Sequence, residues 1–310
     1  MKKIIFTVAI LATTITGFAQ DAEAEAEAPK DGWTKAGNIA LLFSQAAFNE
    51  EWTGGGTNNY AANLVLAYDA NYRKGKLTWD NRIMADYGIT KTQDQDFTRK
   101  TSDRFELNSI VGRQVNESNW FYSFFANIRT QMTSGYEYGE DATGAEIRTE
   151  TTKLLSPGYL QAGPGMLWKK SDNLKVNIAP ATARVILVSS QFTDAAALAA
   201  LGITAEEFND AGGYFGIDAN KTTRFEFGAA LTGYAKLKLM ENITMENILA
   251  LYSNYLEDPQ NVDIDYTLNI VMTVNKWITA NFGFQAIYDD NAVEGFQIRE
   301  GLGIGVTYGF

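Results

Sequence analysis

The sequence has no cysteine and no histidine, and only five prolines in 310 residues. Past its first nineteen residues it has no apolar run of eighteen or more. Each absence closes a class. Without Cys there are no disulfides, no iron–sulfur clusters and no thiolate zinc sites. Without His, a hydroxyl nucleophile lacks its usual proton acceptor, which removes serine–histidine hydrolases. The missing apolar run removes membrane-crossing helices, which need about 20 residues. A net charge of −11 and a pI near 4.7 argue against nucleic acid, whose binding rewards basic surface. What remains is a chain 45% hydrophobic and 13% aromatic, with ample apolar surface to bury in a core or to turn toward lipid.

The N-terminus reads as an export signal. Lys2-Lys3 form a basic start, Ile4 to Gly17 are mostly apolar, and Gly17-Phe18-Ala19 places small residues at the −3 and −1 positions. The expected domains are therefore 1–19 signal peptide, 20–35 acidic periplasmic spacer and 36–310 barrel. The Ala-Glu repeats of the spacer carry too little hydrophobicity to fold alone.

From residue 36 a two-residue period dominates, the mark of strands with one oily face. It is plainest in the last strand, where Ile304, Val306, Tyr308 and Phe310 share one side and Gly and Thr occupy the other. The pattern divides into 36–48, 58–73, 76–91, 98–115, 119–134, 157–170, 173–189, 220–240, 243–256, 261–275, 277–289 and 295–310. Connections alternate between tight turns (Lys74-Gly75, Glu241-Asn242) and long loops (135–156, 190–219). That alternation, an even strand count and runs longer than the ~9–11 residues a tilted strand needs to cross predict an all-β fold. The fold class expected is a transmembrane, antiparallel up-and-down β-barrel of about 12 strands in the cell outer membrane.

Parity assigns the faces. Phe225, Phe227, Leu231, Leu268, Ile270, Phe282 and Phe284 are expected to face lipid. Trp79, Trp120, Trp168, Trp277 and Phe310 lie near short turns and predict an aromatic girdle, where a ring sits in lipid and its polar edge at the headgroups. The expected pore lining is Asp80, Arg82, Asp86, Arg104, Glu106, Arg129, Arg224, Glu226, Lys236, Glu246, Asp263, Asp265 and Arg299, with Asp69, Arg73 and Lys238 on the same parity. Mixed signs at this girth fit either a narrow channel for small solutes or a closed scaffold that serves a larger envelope assembly.

No catalytic residue, cofactor or metal site is assigned. Asp263/Asp265 and Asp80/Asp86 are the only carboxylate pairs worth weighing for glycoside cleavage, and neutralised interior residues are the simpler reading. Glu257, Asp258, Asn261, Asp263 and Asp265, and separately Asp289-Asp290-Asn291, gather hard oxygen donors without the spacing of a calcium loop.

Three local expectations follow. Pro164, between Gly163 and Gly165, predicts a bulge or bend in strand 157–170, with Pro180 facing it in the next strand. Glu300 falls on the lipid-facing parity, to be placed at the headgroup level or turned inward by a bulge. In loop 190–219, Asp194 and the Thr204-Ala205-Glu206-Glu207 capping spacing predict two short helices. The apolar run Ala195 to Leu201 is expected to constrict the mouth or bind an envelope protein. Other expected partners are outer-membrane lipid and, during biogenesis, the barrel-assembly machinery.

The segments Gly-Trp-Thr-Lys-Ala-Gly-Asn (32–38), Phe48-Asn49-Glu50-Glu51-Trp52-Thr53-Gly54-Gly55-Gly56-Thr57-Asn58, Leu77-Thr78-Trp79-Asp80-Asn81 and Lys100-Thr101-Ser102-Asp103-Arg104 resemble a family of outer-membrane proteins of the Bacteroidota known only as a domain of unknown function. The resemblance implies location and fold, and supplies no reaction or ligand. The Trp-Thr-Gly-Gly-Gly-Thr-Asn stretch reads as a compact turn rather than a phosphate loop, because the Gly-Lys-Ser/Thr that opens a P-loop helix is missing.

Overall fold

The computed structural model describes residues 31–49, 51–289 and 293–310. Residues 1–30, which hold the expected signal peptide and most of the expected spacer, together with Glu50 and residues 290–292, lie outside the described residues. Twelve strands close into one antiparallel barrel in which each pairs with its sequence neighbours. They are β1 (Gly32–Ala46), β2 (Asn59–Lys74), β3 (Leu77–Thr92), β4 (Arg99–Gln114), β5 (Trp120–Thr130), β8 (Gly158–Ser171), β9 (Leu174–Leu187), β10 (Thr223–Met240), β11 (Ile243–Asn254), β12 (Val262–Thr273), β13 (Ile278–Asp289) and β14 (Val293–Gly309). A hairpin, β6 (Gly135–Glu140) with β7 (Glu146–Thr152), stands in the β5–β8 connection as a separate two-stranded sheet. Closure comes from β1 pairing with β14, Asn38 opposite Gly309 through Phe43 opposite Ile304.

The two faces invert the arrangement of a soluble protein. Outward, Phe225 is 60% exposed, Ile298 67% and Leu302 68%; inward, Glu226 is 1% exposed and Asp80 4%. Exposed apolar surface over buried charge is the informative combination, since a water-soluble sheet would place the charge outside. The pleat produces this directly, because a period of two sends neighbouring side chains to opposite sides.

The tight connections lie at one end, together with Gly32 of β1 and Gly309 of β14, and the long ones at the other. Gly75 sits at φ 56° in the β2–β3 turn, a conformation that suits glycine. Aromatic side chains collect at this end: Trp33 packs 5.3 Å from Tyr72 and 5.6 Å from Trp79, and Trp120 is the register partner of Trp168.

Several expectations need correction. The first strand begins at Gly32, not 36, because Trp33, Thr34 and Lys35 pair with Tyr72, Asn71 and Ala70, so residues 32–35 belong to the barrel. The bulge lies in β9, not β8. The β5–β8 ladder runs unbroken through Phe124 opposite Pro164, while the extra residue falls between Ile178 and Ala183 of β9, at Pro180-Ala181. Proline can donate no ladder hydrogen bond, and of the two facing prolines it is Pro180 that interrupts its strand. Glu300 is not turned by a bulge: β13 and β14 pair without a shift from Ile278–Val306 to Tyr288–Phe296, so its side chain stays outward between Ile298 and Leu302.

Candidate functional site

The interior is the candidate site, and its charges meet across it. In a ring of twelve, β3 and β11 stand six strands apart whichever way one counts, and so do β4 and β12. Arg82 of β3 nevertheless donates through Nη2 to Glu246 Oε1 of β11 at 2.6 Å. The Tyr234 hydroxyl donates to the same oxygen at 2.6 Å, and Arg82 Nη1 reaches the Tyr234 oxygen at 2.9 Å. Above them Arg104 of β4 spans to Asp265 of β12 at 2.9 Å, and Arg129 of β5 reaches the same carboxylate oxygen at 2.7 Å. Gln285 donates to the other Asp265 oxygen at 3.0 Å, so one carboxylate gathers three strands to β12. Glu106 backs Arg104 at 2.5 Å and accepts from Asn108 and Asn127. These are crossbars over the full diameter.

Further pairs close the two ends. At the tight-turn end, Lys169 Nζ lies 2.6 Å and Lys175 Nζ 3.1 Å from Asp80, and both Lys169 and Asp80 are buried. Lys169 and Arg73 each also lie 2.8 Å from Asp172 in the β8–β9 turn. Burial opposes ionisation of Asp172, but the two cations outweigh it and hold its carboxyl below the usual range. At the long-loop end, Arg184 bridges Asp263 at 2.5 Å and stacks 3.5 Å from the Tyr252 ring centroid. Arg224 joins Glu226 at 3.0 Å and also pairs with Glu257; Arg299 joins Asp86 at 3.1 Å. Lys236 points inward opposite Glu246 at the exposed inner rim.

Three interior cations, Lys169, Lys175 and Arg184, were missing from the sequence-based set. Arg184 reaches the interior because the Pro180-Ala181 bulge shifts parity: Lys175, Asn177 and Ala179 point in before it, Thr182 and Arg184 after it. The signal was Pro180 itself.

The interior is also less polar than parity suggested. Phe125, Ala179, Ala230 and Tyr252 form a buried cluster with Ile110 against it, and Leu167 is fully enclosed. These fill the β4–β11 side. A cavity of about 120 Å³ lies among them and the crossbars, bordered by Arg82, Arg104, Asn127, Arg184 and Tyr234. The β13–β14–β1–β2 side is different. Gly301 has nothing within 4 Å of where a Cβ would stand, and the nearest atom to such a Cβ on Gly283 is Asn269 Oδ1 at 3.8 Å. Room is left at these two inward positions, while Ala40 and Leu42 of the neighbouring β1 are buried.

The residues expected on the outer face stand there. Leu268 is opposite Phe284 and Ile270 opposite Phe282; Phe225 and Phe227 are exposed, and Leu231 shares their parity. Trp79, Trp120, Trp168, Trp277 and Phe310 ring the tight-turn end, joined by Trp33, which the late strand start concealed. The carboxylates weighed for glycoside cleavage are engaged by cations: Asp263 by Arg184, Asp265 by Arg104 and Arg129, Asp80 by two lysines, Asp86 by Arg299.

The mouth at the long-loop end is partly covered, and not by the expected segment. Two helices form, α1 (Ala195–Ala200) capped by Asp194 and α2 (Ala205–Asp210) with a Thr204/Glu207 capping box. Leu198 is buried, but Leu201 beyond it is 76% exposed, so the apolar run faces outward. The cover is Tyr214 and Ile217. Ile217 is 1% exposed against Tyr159, Ile186 and Val188, and the Tyr214 hydroxyl donates to the Thr151 carbonyl at 2.5 Å. Burial pushes the Tyr214 phenol up.

A family described as a protein of unknown function (DUF3078) matches residues 43–136, a stretch that contains the 48–58, 77–81 and 100–104 segments. No functionally curated protein matches the sequence significantly. Among solved structures, an outer membrane channel from Pseudomonas putida F1 aligns at 11% identity and TM-score 0.38, over 94% of this chain and 99% of that one. The translocator domain of autotransporter NalP from Neisseria meningitidis aligns at 9% and 0.35, over 90% and 89%. The NanC porin aligns at 9% and 0.36, over 88% and 97%.

Proposed function

We propose that the chain is an exported outer-membrane β-barrel that passes small solutes along a narrow lane beside its crossbars. The observation that carries this reading is the unequal interior. Side chains pack the β4–β11 half, while the inward glycines Gly283 of β13 and Gly301 of β14 leave room beside the crossbars. The outer-membrane placement rests on the outward apolar face, the aromatic ring at one end and the export signal, since lipid admits only structures whose backbone is satisfied internally. Lipid and the barrel-assembly machinery are then its partners.

The crossbars favour a second reading, a non-conducting barrel that anchors an envelope assembly through its loops; Leu201, 76% exposed on loop 190–219, is the surface for such a partner. Planar-bilayer recording of the purified full chain separates the two. Small unitary currents that grow when Arg82 and Glu246 are together replaced by Ala support the channel. Silence in both forms defeats it and leaves the anchoring reading.

A further inference from the structure

The inward charges are unevenly placed along the barrel axis. At the tight-turn end two carboxylates each serve two cations. Asp80 lies 2.6 Å from Lys169 and 3.1 Å from Lys175, and Asp172 lies 2.8 Å from both Lys169 and Arg73. At the long-loop end the relation reverses, and two cations each serve two acids. Arg184 meets Asp263 at 2.5 Å and Glu226 at 3.4 Å; Arg224 meets Glu226 at 3.0 Å and also pairs with Glu257.

Two more cations stand at the tight-turn end without an acid of their own. Lys236 and Lys238 continue the inward face of β10 past Tyr234 toward the Glu241-Asn242 turn, while Leu237 and Leu239 face out. The register partner of Lys236 is Glu246, but Arg82 and the Tyr234 hydroxyl already hold that carboxylate, each at 2.6 Å. Among the described residues neither lysine forms an ion pair. Lys175, the register partner of Tyr234 on β9, brings its Nζ to 5.6 Å from the centre of the Tyr234 ring and so stands beside them. Arg82 adds a buried Nε–H that finds no acceptor among the described residues. Cations and donors are therefore in excess at this end.

Like charges gathered in an opening with low-dielectric walls repel one another, and the same walls focus their field into the opening. An anion placed there relieves the repulsion and accepts charge-assisted hydrogen bonds, the stronger kind. The occupant is small, because the cations stand inside the ring of strands. The cavity behind them, about 120 Å³ and bordered by Arg82, Lys175 and Tyr234, is small as well. A large polyanion would also have to approach a chain whose net charge is −11. More than one negative charge suits the place, since Lys175, Lys236 and Lys238 lie on neighbouring strands and one charge cannot answer all three.

We infer that the tight-turn end of the interior is a capture site for small multivalent anions, with di- and tricarboxylates as the organic class. This rests on the channel reading above and names its solute class. The probe is citrate, titrated calorimetrically into the purified full chain in a neutral detergent free of divalent cations. Unitary currents of the same preparation are recorded alongside. K236Q/K238Q removes the two unpaired charges, and K236R/K238R keeps them.

The inference expects citrate to bind the wild type and K236R/K238R alike, and K236Q/K238Q about tenfold more weakly. High salt should weaken the wild-type binding, because these charges are open to screening. Citrate should also block the currents at lower concentration from one side of the bilayer than from the other. Binding absent from the wild type, or unchanged in K236Q/K238Q, overturns the capture site, and currents in that preparation leave the channel standing. Lysine-dependent binding without any current overturns the channel reading and keeps the site. Equal block from both sides overturns its placement at one end. If K236Q/K238Q loses heat-modifiable migration, K238Q alone must bind citrate more weakly than the wild type.

Discussion

Phe310 lies against the bare Cα of Gly37: a Cβ there would stand 2.7 Å from the Phe310 ring and 2.9 Å from Tyr68. The two residues exchange backbone hydrogen bonds at 2.8 and 2.9 Å, and the ring stacks on Tyr68 at 6.1 Å. Aromatic cover over a strand glycine restores the packing that glycine forfeits and fixes the register of the closing seam. G37L must displace the ring, an overpacking cost of about 1–3 kcal/mol. Urea unfolding in detergent should show that loss. A neutral result would mean that the seam is held by its ladder alone.

Asp265 is the most heavily used interior carboxylate, holding Arg104, Arg129 and Gln285 at once. D265N keeps the shape, takes from Arg129 the carboxylate it pairs with, and leaves Arg104 with Glu106 alone. Breaking a buried pair by removing one partner costs about 3–5 kcal/mol. R299Q, whose partner Asp86 keeps a 2.7 Å hydrogen bond from Ser102, removes a pair whose side chains are 41% and 25% exposed and should cost far less. Comparable losses in denaturant midpoint would show that the crossbars carry no special weight.

Placement in lipid is tested by neighbours of opposite parity. Leu268 points outward opposite Phe284, and Thr267 points inward opposite Gln285. Arg on the lipid face at the bilayer midplane costs roughly 2–4 kcal/mol. L268R should therefore lower the yield of folded, heat-modifiable barrel much more than T267R. Equal yields would put the membrane elsewhere.

The division into twelve strands and two faces was legible because alternation is a one-dimensional signal that survives without any partner. Phe225 against Glu226 is enough to orient β10. What escaped depends on more than one strand. Pro180 announced an irregularity, yet whether it or Pro164 would absorb the extra residue is decided by the ladders on either side, and with it the inward turn of Arg184. Likewise no spacing in the sequence says that Arg82 meets Glu246, 164 residues away; that contact follows from ring closure. The apolar run at 195–201 was conspicuous, but Tyr214 and Ile217, which cover the mouth, are two isolated residues in a glycine-rich stretch.

The β6–β7 hairpin is docked by one carboxylate. Glu146 accepts from Arg99 at 2.6 Å and from the Asp96 and Phe97 amides at 2.6 and 3.2 Å. The Arg99 hydrogen bond leads these in holding its carboxyl below the ordinary 4.5. A depressed value in the folded state means docking is fully supported above 4.5 and lost as pH falls through the lower folded value. Amide exchange at Asp96 and Phe97 should quicken only in that acid window in the wild type, and at neutral pH in E146Q. Exchange that ignores both changes would mean that the Arg148 stacking on Phe97 and Tyr136 suffices.

The mouth offers the sharpest contrast between helix and cover. If α1 and α2 narrowed the opening, deleting residues 194–211 would raise conductance. In the structure Leu201 faces away while Ile217 seals against Tyr159, Ile186 and Val188. Deletion should accordingly leave conductance near wild type, provided Tyr214 keeps its hydrogen bond to the Thr151 carbonyl. I217D places a charge in an apolar contact and should free the segment, because burying an unpaired carboxylate is costly. The expected reading is larger currents from I217D than from the deletion, with folded migration preserved in both. A larger effect from the deletion would return the constriction to the helices.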